Sequence, residues 1–225
     1  MKRIVVEELI DTGEGTTDEA VASLTDMKMF NRYFGGVRTM TSLLYRVATE
    51  KKVSSLSWLD VAGGLGGLIE HTSAALAKKN VVTKPVLLDR VETHLNRRYT
   101  CVCADALSLP FRDNSFDVVG SCLFVHHLNP DQVVAFINEA MRVARYAVLI
   151  NDLIRHPLHL AIAWSGIPIY RSRLTRHDAP VSVRRAYTVE EIKSLLSNST
   201  AYMVDIQEFY LYRMGAIVWK LGNGV

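Results

Sequence analysis

The sequence predicts an α/β protein built on a doubly wound, seven-stranded sheet, mostly parallel with an antiparallel last strand and with helices on both faces. Three observations carry this. From Ser57 to Asn151 short apolar runs alternate with helical patterns, the signature of consecutive βα units. The first run ends in a glycine-rich turn, "LDVAGGLGG", Leu59 to Gly67. The chain finishes on two apolar runs, "YMVDIQEFYLY" and "MGAIVWKL", whose very short connection requires an antiparallel pair.

Taken in order, residues 1–55 read as an N-terminal helical cap interrupted by the aromatic and glycine cluster "FNRYFGG". Residues 56–154 form the ligand-binding core, with strands at about 57–62, 85–89, 99–103, 116–122 and 145–151. The helix after the fourth strand is the best signalled. Asn129 can cap it, Pro130 suits its first position, and Val133, Phe136, Ile137, Ala140 and Met141 form one apolar stripe. Residues 155–187 look like an insertion that covers the acceptor side of the site. In 188–225 a last helix begins at Thr188 and Glu191, which have capping-box spacing, and leads to the closing strands. All four segments make a single domain, 1–225.

Composition bounds the function. The chain has 225 residues, 49% hydrophobic, enough for one sizeable core. A net charge of +3 gives no reason to expect nucleic acid or an anionic membrane as partner. Cys101, Cys103 and Cys122 are odd in number and do not make a disulfide framework, and no Cys/His set has structural-zinc spacing, so no metal is expected. The longest apolar runs fall short of the roughly 18 residues of a membrane span. The expectation is a soluble cytoplasmic protein, monomer or homodimer.

The glycine turn lies where a doubly wound sheet binds ligands, beyond the carboxyl end of its first strand. A dinucleotide fingerprint counted from Gly64 reaches Gly66 but then Ile69 in place of the third glycine, which weakens a pyrophosphate reading. What remains is Asp60 before a turn of Ala62, Gly63, Gly64, Gly66 and Gly67. Asp89 ends the next strand, beside Arg90, where a carboxylate can accept from ribose hydroxyls. Asp105, after the third strand, can accept from an adenine amino group. Three acids on one rim fit a cationic nucleoside better than an anionic one.

With "LDVAGGLGG", "VLLDR" and "CADALSLPFRDNSFDVVGSCLFVHHL" in that order, the chain resembles the class I S-adenosylmethionine-dependent methyltransferases, in particular the small-molecule branch of ubiquinone and menaquinone methyltransferases. The resemblance implies a Rossmann-like fold and S-adenosyl-L-methionine as cofactor, with S-adenosyl-L-homocysteine as product. It places Asp60 and the turn at the methionine end, Asp89 at the ribose, Asp105 with Ala106 at the adenine, and Ser121, Cys122 and Leu123 beneath the methionine. The family usually has glycine where Ala62 stands. Ala62 is therefore expected in an ordinary strand-end conformation, with Gly64 giving the close approach.

Methyl transfer to a phenol or enol benefits from a general base, and His126 and His127 follow the fourth strand at the correct rim. Candidates for contact with the acceptor are Tyr33 and Arg38 near the N-terminus, Asp152, Arg155 and His156 after the fifth strand, and Arg176 and Arg184. The last two belong to five arginines within residues 171–185, Arg171, Arg173, Arg176, Arg184 and Arg185, which could receive an acidic acceptor or simply form a solvated loop. The apolar "LHLAIAWSGIPIY" is either a pocket wall or core packing. Nothing near Cys122 would lower its thiol pKa, so it makes a poor nucleophile. The reading is methyl transfer to oxygen or carbon of a small, hydrophobic or aromatic acceptor. The alternatives are a cofactor-binding protein of the same fold without turnover, and an RNA or protein methyltransferase supported by the arginines alone. "SCLF" stands where an Asn-Pro-Pro-Tyr-like tetrapeptide would select an amide acceptor.

Overall fold

The computed structural model describes residues 1–200 and 203–220. Seven strands form one sheet: β1 (Ser55–Val61), β2 (Val82–Asp89), β3 (Thr100–Cys103), β4 (Phe116–Cys122), β5 (Ala144–Leu153), β6 (Met203–Phe209) and β7 (Arg213–Trp219), in the order β3-β2-β1-β4-β5-β7-β6. The first five are parallel, and β7 runs antiparallel to both β5 and β6. Tyr202 and Leu221, expected in the closing pair, lie outside the described residues.

Side chains alternate along the central strands, and the alternation divides the interior into two cores. Leu59, Val61, Val119, Val148 and Ile150 point to one face. Trp58, Val118, Ala147 and Leu149 point to the other. The first core is closed by α5 (Pro130–Val143) and α8 (Val189–Ser197), and the second by α3 (Gly36–Glu50) and α4 (Gly67–Ala77). Burial on both faces explains why these strands read as nearly continuous apolar runs. The α5 stripe is fully inside, and both expected caps form as reciprocal boxes, Asn129 with Gln132 and Thr188 with Glu191.

The N-terminal region holds a single turn, α1 (Leu9–Thr12), and a long helix, α2 (Thr17–Tyr33), capped by Thr16 and Glu19. Residues 157–185 form α6 (Pro157–Ser165) and α7 (Arg173–Arg185), so the arginine-rich stretch is a helix rather than a loop. α7 packs against α1 and α2. Within "LHLAIAWSGIPIY" only Ala163 and Tyr170 are buried, while Leu158, Trp164 and Ile169 are exposed. That segment is neither core nor pocket wall. Among the described residues no helix is long and apolar enough to cross a membrane.

Candidate active site

The strand order reverses between β1 and β4, and a cavity of about 770 Å³ opens there beyond their carboxyl ends. Asp60, Ala62, Gly63, Gly64, Asp89, Arg90, Asp105, Ala106, Cys122 and Leu123 all line it. Gly66 and Ser121 are buried just behind the wall. The Gly66 position still needs glycine. Its φ is +71°, and a Cβ there would come within 2.7 Å of the Tyr99 ring. A Cβ on Gly63 would come within 2.9 Å of Asp60 Oδ2.

Ala62 departs from expectation. Its φ is 57°, in the left-handed region, and not the ordinary strand-end conformation. Leu123, at the matching end of β4, has φ 56°. The turn requires a left-handed residue after β1 whether or not a glycine supplies it, because Gly63 N–H must donate to Leu88 O (3.1 Å) as the chain doubles back.

The acids of the rim differ in electrostatics. Asp89 accepts from Gly64 N–H at 3.2 Å and from Val91 N–H at 3.0 Å. Asp105 is exposed and accepts from Leu107 N–H at 2.8 Å. Asp60 is 1% exposed and, among the described residues, neither of its carboxyl oxygens has a hydrogen-bond partner. Burial, reinforced by the Asp89 charge, pushes its pKa up to about 8. A buried carboxyl without a partner costs stability in the empty protein and becomes favourable once a cation is placed against it. Cys122 is likewise pushed up, to about 12, chiefly by burial, which leaves it a thiol and removes any nucleophilic role.

The opposite wall comes from residues far from the core motifs. Glu7, Glu8, Ile10, Asp11 and Thr12 of the N-terminal arm line it, with Leu24, Met27, Lys28 and Asn31 of α2. From 155–187 only Arg185 reaches the cavity, so the cover expected from that segment is supplied by the N-terminus instead. The arm is held where it lies by Asp178, which accepts from the N–H groups of Leu9 (2.8 Å) and Ile10 (3.2 Å).

The two histidines separate. His127 lines the cavity, with Nδ1 2.6 Å from Asp11 Oδ2. His126 is 2% exposed and stands behind the wall, with Nδ1 2.6 Å from Asp152 and Nε2 3.4 Å from Glu8. Burial alone would depress its imidazole, but the carboxylates of Asp152 and Glu8 outweigh it and lift the pKa to about 10. Such a ring holds its proton at neutral pH and does not serve as a general base. Asp152 is its buried partner rather than a ligand contact.

The remaining candidates do not converge on the cavity. Arg155 is buried against Glu191, Ala186 O and Met1 O. His156 caps α6 and stacks on Tyr212. Tyr33 and Arg38 are exposed away from the cavity wall. Arg176 donates to Tyr170 O, Arg184 lies over Trp164, and Arg173 pairs with Glu19. Sequence reasoning missed Glu8, Asp11 and Asn31, since nothing local marks them as partners of the strand ends.

Comparison with known proteins fits this arrangement. The family described as "Methyltransferase domain" matches residues 59–147, which span the glycine turn, the three acids and the two histidines. Residues 59–147 are a methyltransferase domain. The chain is 29% identical over 155 residues to a demethylmenaquinone methyltransferase of Roseiflexus sp. (strain RS-1), a match covering 61% of this chain and 64% of that protein. A 77-residue stretch is 39% identical to the mitochondrial arginine-hydroxylase NDUFAF5 of Danio rerio, covering 32% of this chain and 22% of that protein. The chain thus matches less than two thirds of the length of either relative. In fold, it resembles the plantazolicin methyltransferase BpumL solved with SAH, with a TM-score of 0.71 at 15% identity over 95% of this chain and 94% of that one. At that identity the likeness of the methyltransferase domain extends to fold only.

Proposed function

We propose that the chain transfers a methyl group from S-adenosylmethionine to oxygen or carbon of a small, hydrophobic or aromatic acceptor. The observation that carries the reading is Asp60, a buried carboxyl without a partner on the floor of the cavity. It is the counter-charge for the cationic end of the cofactor. Asp89, ordered by the Gly64 and Val91 N–H groups, keeps its outer lone pairs for the ribose hydroxyls. Asp105 and Ala106 flank the adenine. The cofactor supplies an electrophilic methyl on a sulfonium, and the protein has only to align the acceptor and manage its proton.

The wall facing the strand ends suits a small apolar acceptor. Ile10, Leu24 and Met27 line it, meeting Phe124 and Leu128 from beyond β4, with Glu8, Asp11 and His127 as a polar group at one side. Of the two histidines, His127 is the one that lines the cavity beside a bound acceptor. The similarity to a demethylmenaquinone methyltransferase supports an acceptor of this class. Of the five arginines that support an RNA or protein acceptor, Arg173, Arg176, Arg184 and Arg185 are engaged within the fold.

Calorimetry tests the cofactor. S-adenosylmethionine and S-adenosylhomocysteine should each bind once per chain, with a loss of more than about tenfold in Asp89→Ala, since a ribose-binding carboxylate carries charged hydrogen bonds. Equal affinity for NAD would refute the assignment. A panel of aromatic acceptors should then give turnover that His127→Ala abolishes without weakening cofactor binding. Tight cofactor binding with no turnover on any acceptor would favour a binding protein.

A further inference from the structure

We propose that Glu8, His126 and His127 hold one divalent transition-metal ion at the edge of the cavity. The two imidazoles are oriented alike. Each is clamped at Nδ1 by a carboxylate at 2.6 Å, Asp152 for His126 and Asp11 for His127. Each then turns Nε2 toward one atom, Glu8 Oε1, at 3.4 Å from His126 and 3.8 Å from His127. The three ligand atoms lie within 4.8 Å of one another.

Distance separates a metal site from a plain hydrogen-bonded cluster. A charged N–H···O⁻ bond closes to about 2.7–2.9 Å, as the Nδ1 sides have done or exceeded. The Nε2 sides stand off. Two ligands each about 2.1 Å from a tetrahedral ion are about 3.4 Å apart, the spacing of His126 Nε2 from Glu8 Oε1, while His127 Nε2, at 3.8 Å, stands slightly wider. The outer contacts also match what a metal-ligating histidine needs, a carboxylate that fixes tautomer and ring orientation. Glu8 Oε1 is steadied by the Ser182 hydroxyl at 2.8 Å.

Two imidazoles and one carboxylate suit Zn²⁺, Co²⁺, Fe²⁺ or Mn²⁺ better than Mg²⁺ or Ca²⁺. Binding exchanges the proton on His126 Nε2 for the ion, the proton leaving to solvent while Nδ1–H stays on Asp152. Glu8 and His127 line the cavity, so the remaining coordination position faces it and takes a water or an oxygen of a bound molecule. The spacing of Cys and His in the sequence gave no sign of this, because Glu8 is brought in by the N-terminal arm.

The full chain, stripped of metal by a chelator, is titrated with Co²⁺ and then with Zn²⁺. One Co²⁺ per chain should bind, with visible absorption bands that Zn²⁺ abolishes. Glu8→Gln and His127→Asn should each weaken binding by more than about tenfold, and Asp11→Asn, which releases the outer clamp and a 3.5 Å pairing with Arg185 but no ligand, by about 10- to 100-fold. Circular dichroism checks each variant, and Asp11→Asn decides if either of the first two has lost its fold. Asp89→Asn should lose adenosylhomocysteine but keep the Co²⁺ bands, so this result and that for methyl transfer are read separately. The absence of saturable bands, or bands that persist in both Glu8→Gln and His127→Asn, would overturn the site.

Discussion

At Ala62 a left-handed backbone is imposed on an L-residue whose side chain is a single methyl. Such a conformation costs roughly 1–2 kcal/mol, against which glycine's extra freedom in the unfolded chain weighs about 0.4–1 kcal/mol. Ala62→Gly is therefore expected to raise stability by up to about 1 kcal/mol in urea unfolding, while Ala62→Val, β-branched at positive φ, should lower it by more than about 2 kcal/mol. Asp60 sets a pH dependence. With a pKa of about 8 in the empty site, against about 3.9 unfolded, its ionisation costs the empty protein stability as pH rises from about 4 to 8. Asp60→Asn should flatten that window relative to the parent. A bound cation lowers the same pKa, so near pH 7 cofactor binding should release close to one proton, seen as a buffer-dependent calorimetric enthalpy. Affinity should climb toward pH 8 and then level off, and pH-independent affinity would show that Asp60 is not the counter-charge.

The elements around the site differ in how they are secured. α5 depends on its cap, and Asn129→Ala should cost about 1 kcal/mol without touching the cavity. Arg155 is a joint between elements, tying the end of β5 to α8 through Glu191 and to the arm through Met1 O. Arg155→Met leaves the buried Ala186 carbonyl unsatisfied and removes the ion pair with Glu191, and a loss of about 2 kcal/mol is expected. Acceptor KM should not change, the reverse of what a substrate-binding arginine would show. Element boundaries were readable where periodicity and caps coincide, as at Asn129 and Thr188. The helix α7 was not, since its four arginines and a proline read as a loop until α1 and α2 are packed against it.

For the whole molecule, a ligand bound only by the folded state stabilises it by mass action. Adenosylhomocysteine at about a hundred times its Kd should add about 2.7 kcal/mol, or roughly 5–10 °C in Tm for a chain of this size, and NAD should add nothing. The sheet order and the strand-end acids could be read from the sequence because each βα unit carries its own signal. The opposite wall could not. Glu8 and Asp11 acquire meaning only when the N-terminus crosses to the fourth strand, a contact between segments with no shared pattern. The positive φ of Ala62 was hidden for a related reason, since the turn's path is fixed by the carbonyl of Leu88 on a neighbouring strand.

The arm is fastened almost wholly through polar groups. Arg3 donates to the carbonyls of Arg185 and Leu128, Ile4 N–H to Arg184 O, and Leu9 and Ile10 N–H to Asp178. The side chains of Ile4, Val5 and Val6 stay in solvent. Lifting it exposes little new apolar surface, so its opening has a shallow dependence on urea and precedes global unfolding as a separate, low-energy event. Amide exchange should show the N–H groups of Ile4, Leu9 and Ile10 opening far faster than those of β1, β4 and β5. The doorway to the cavity is thereby decoupled from the sheet that forms its floor, and molecules can come and go without loosening the strands.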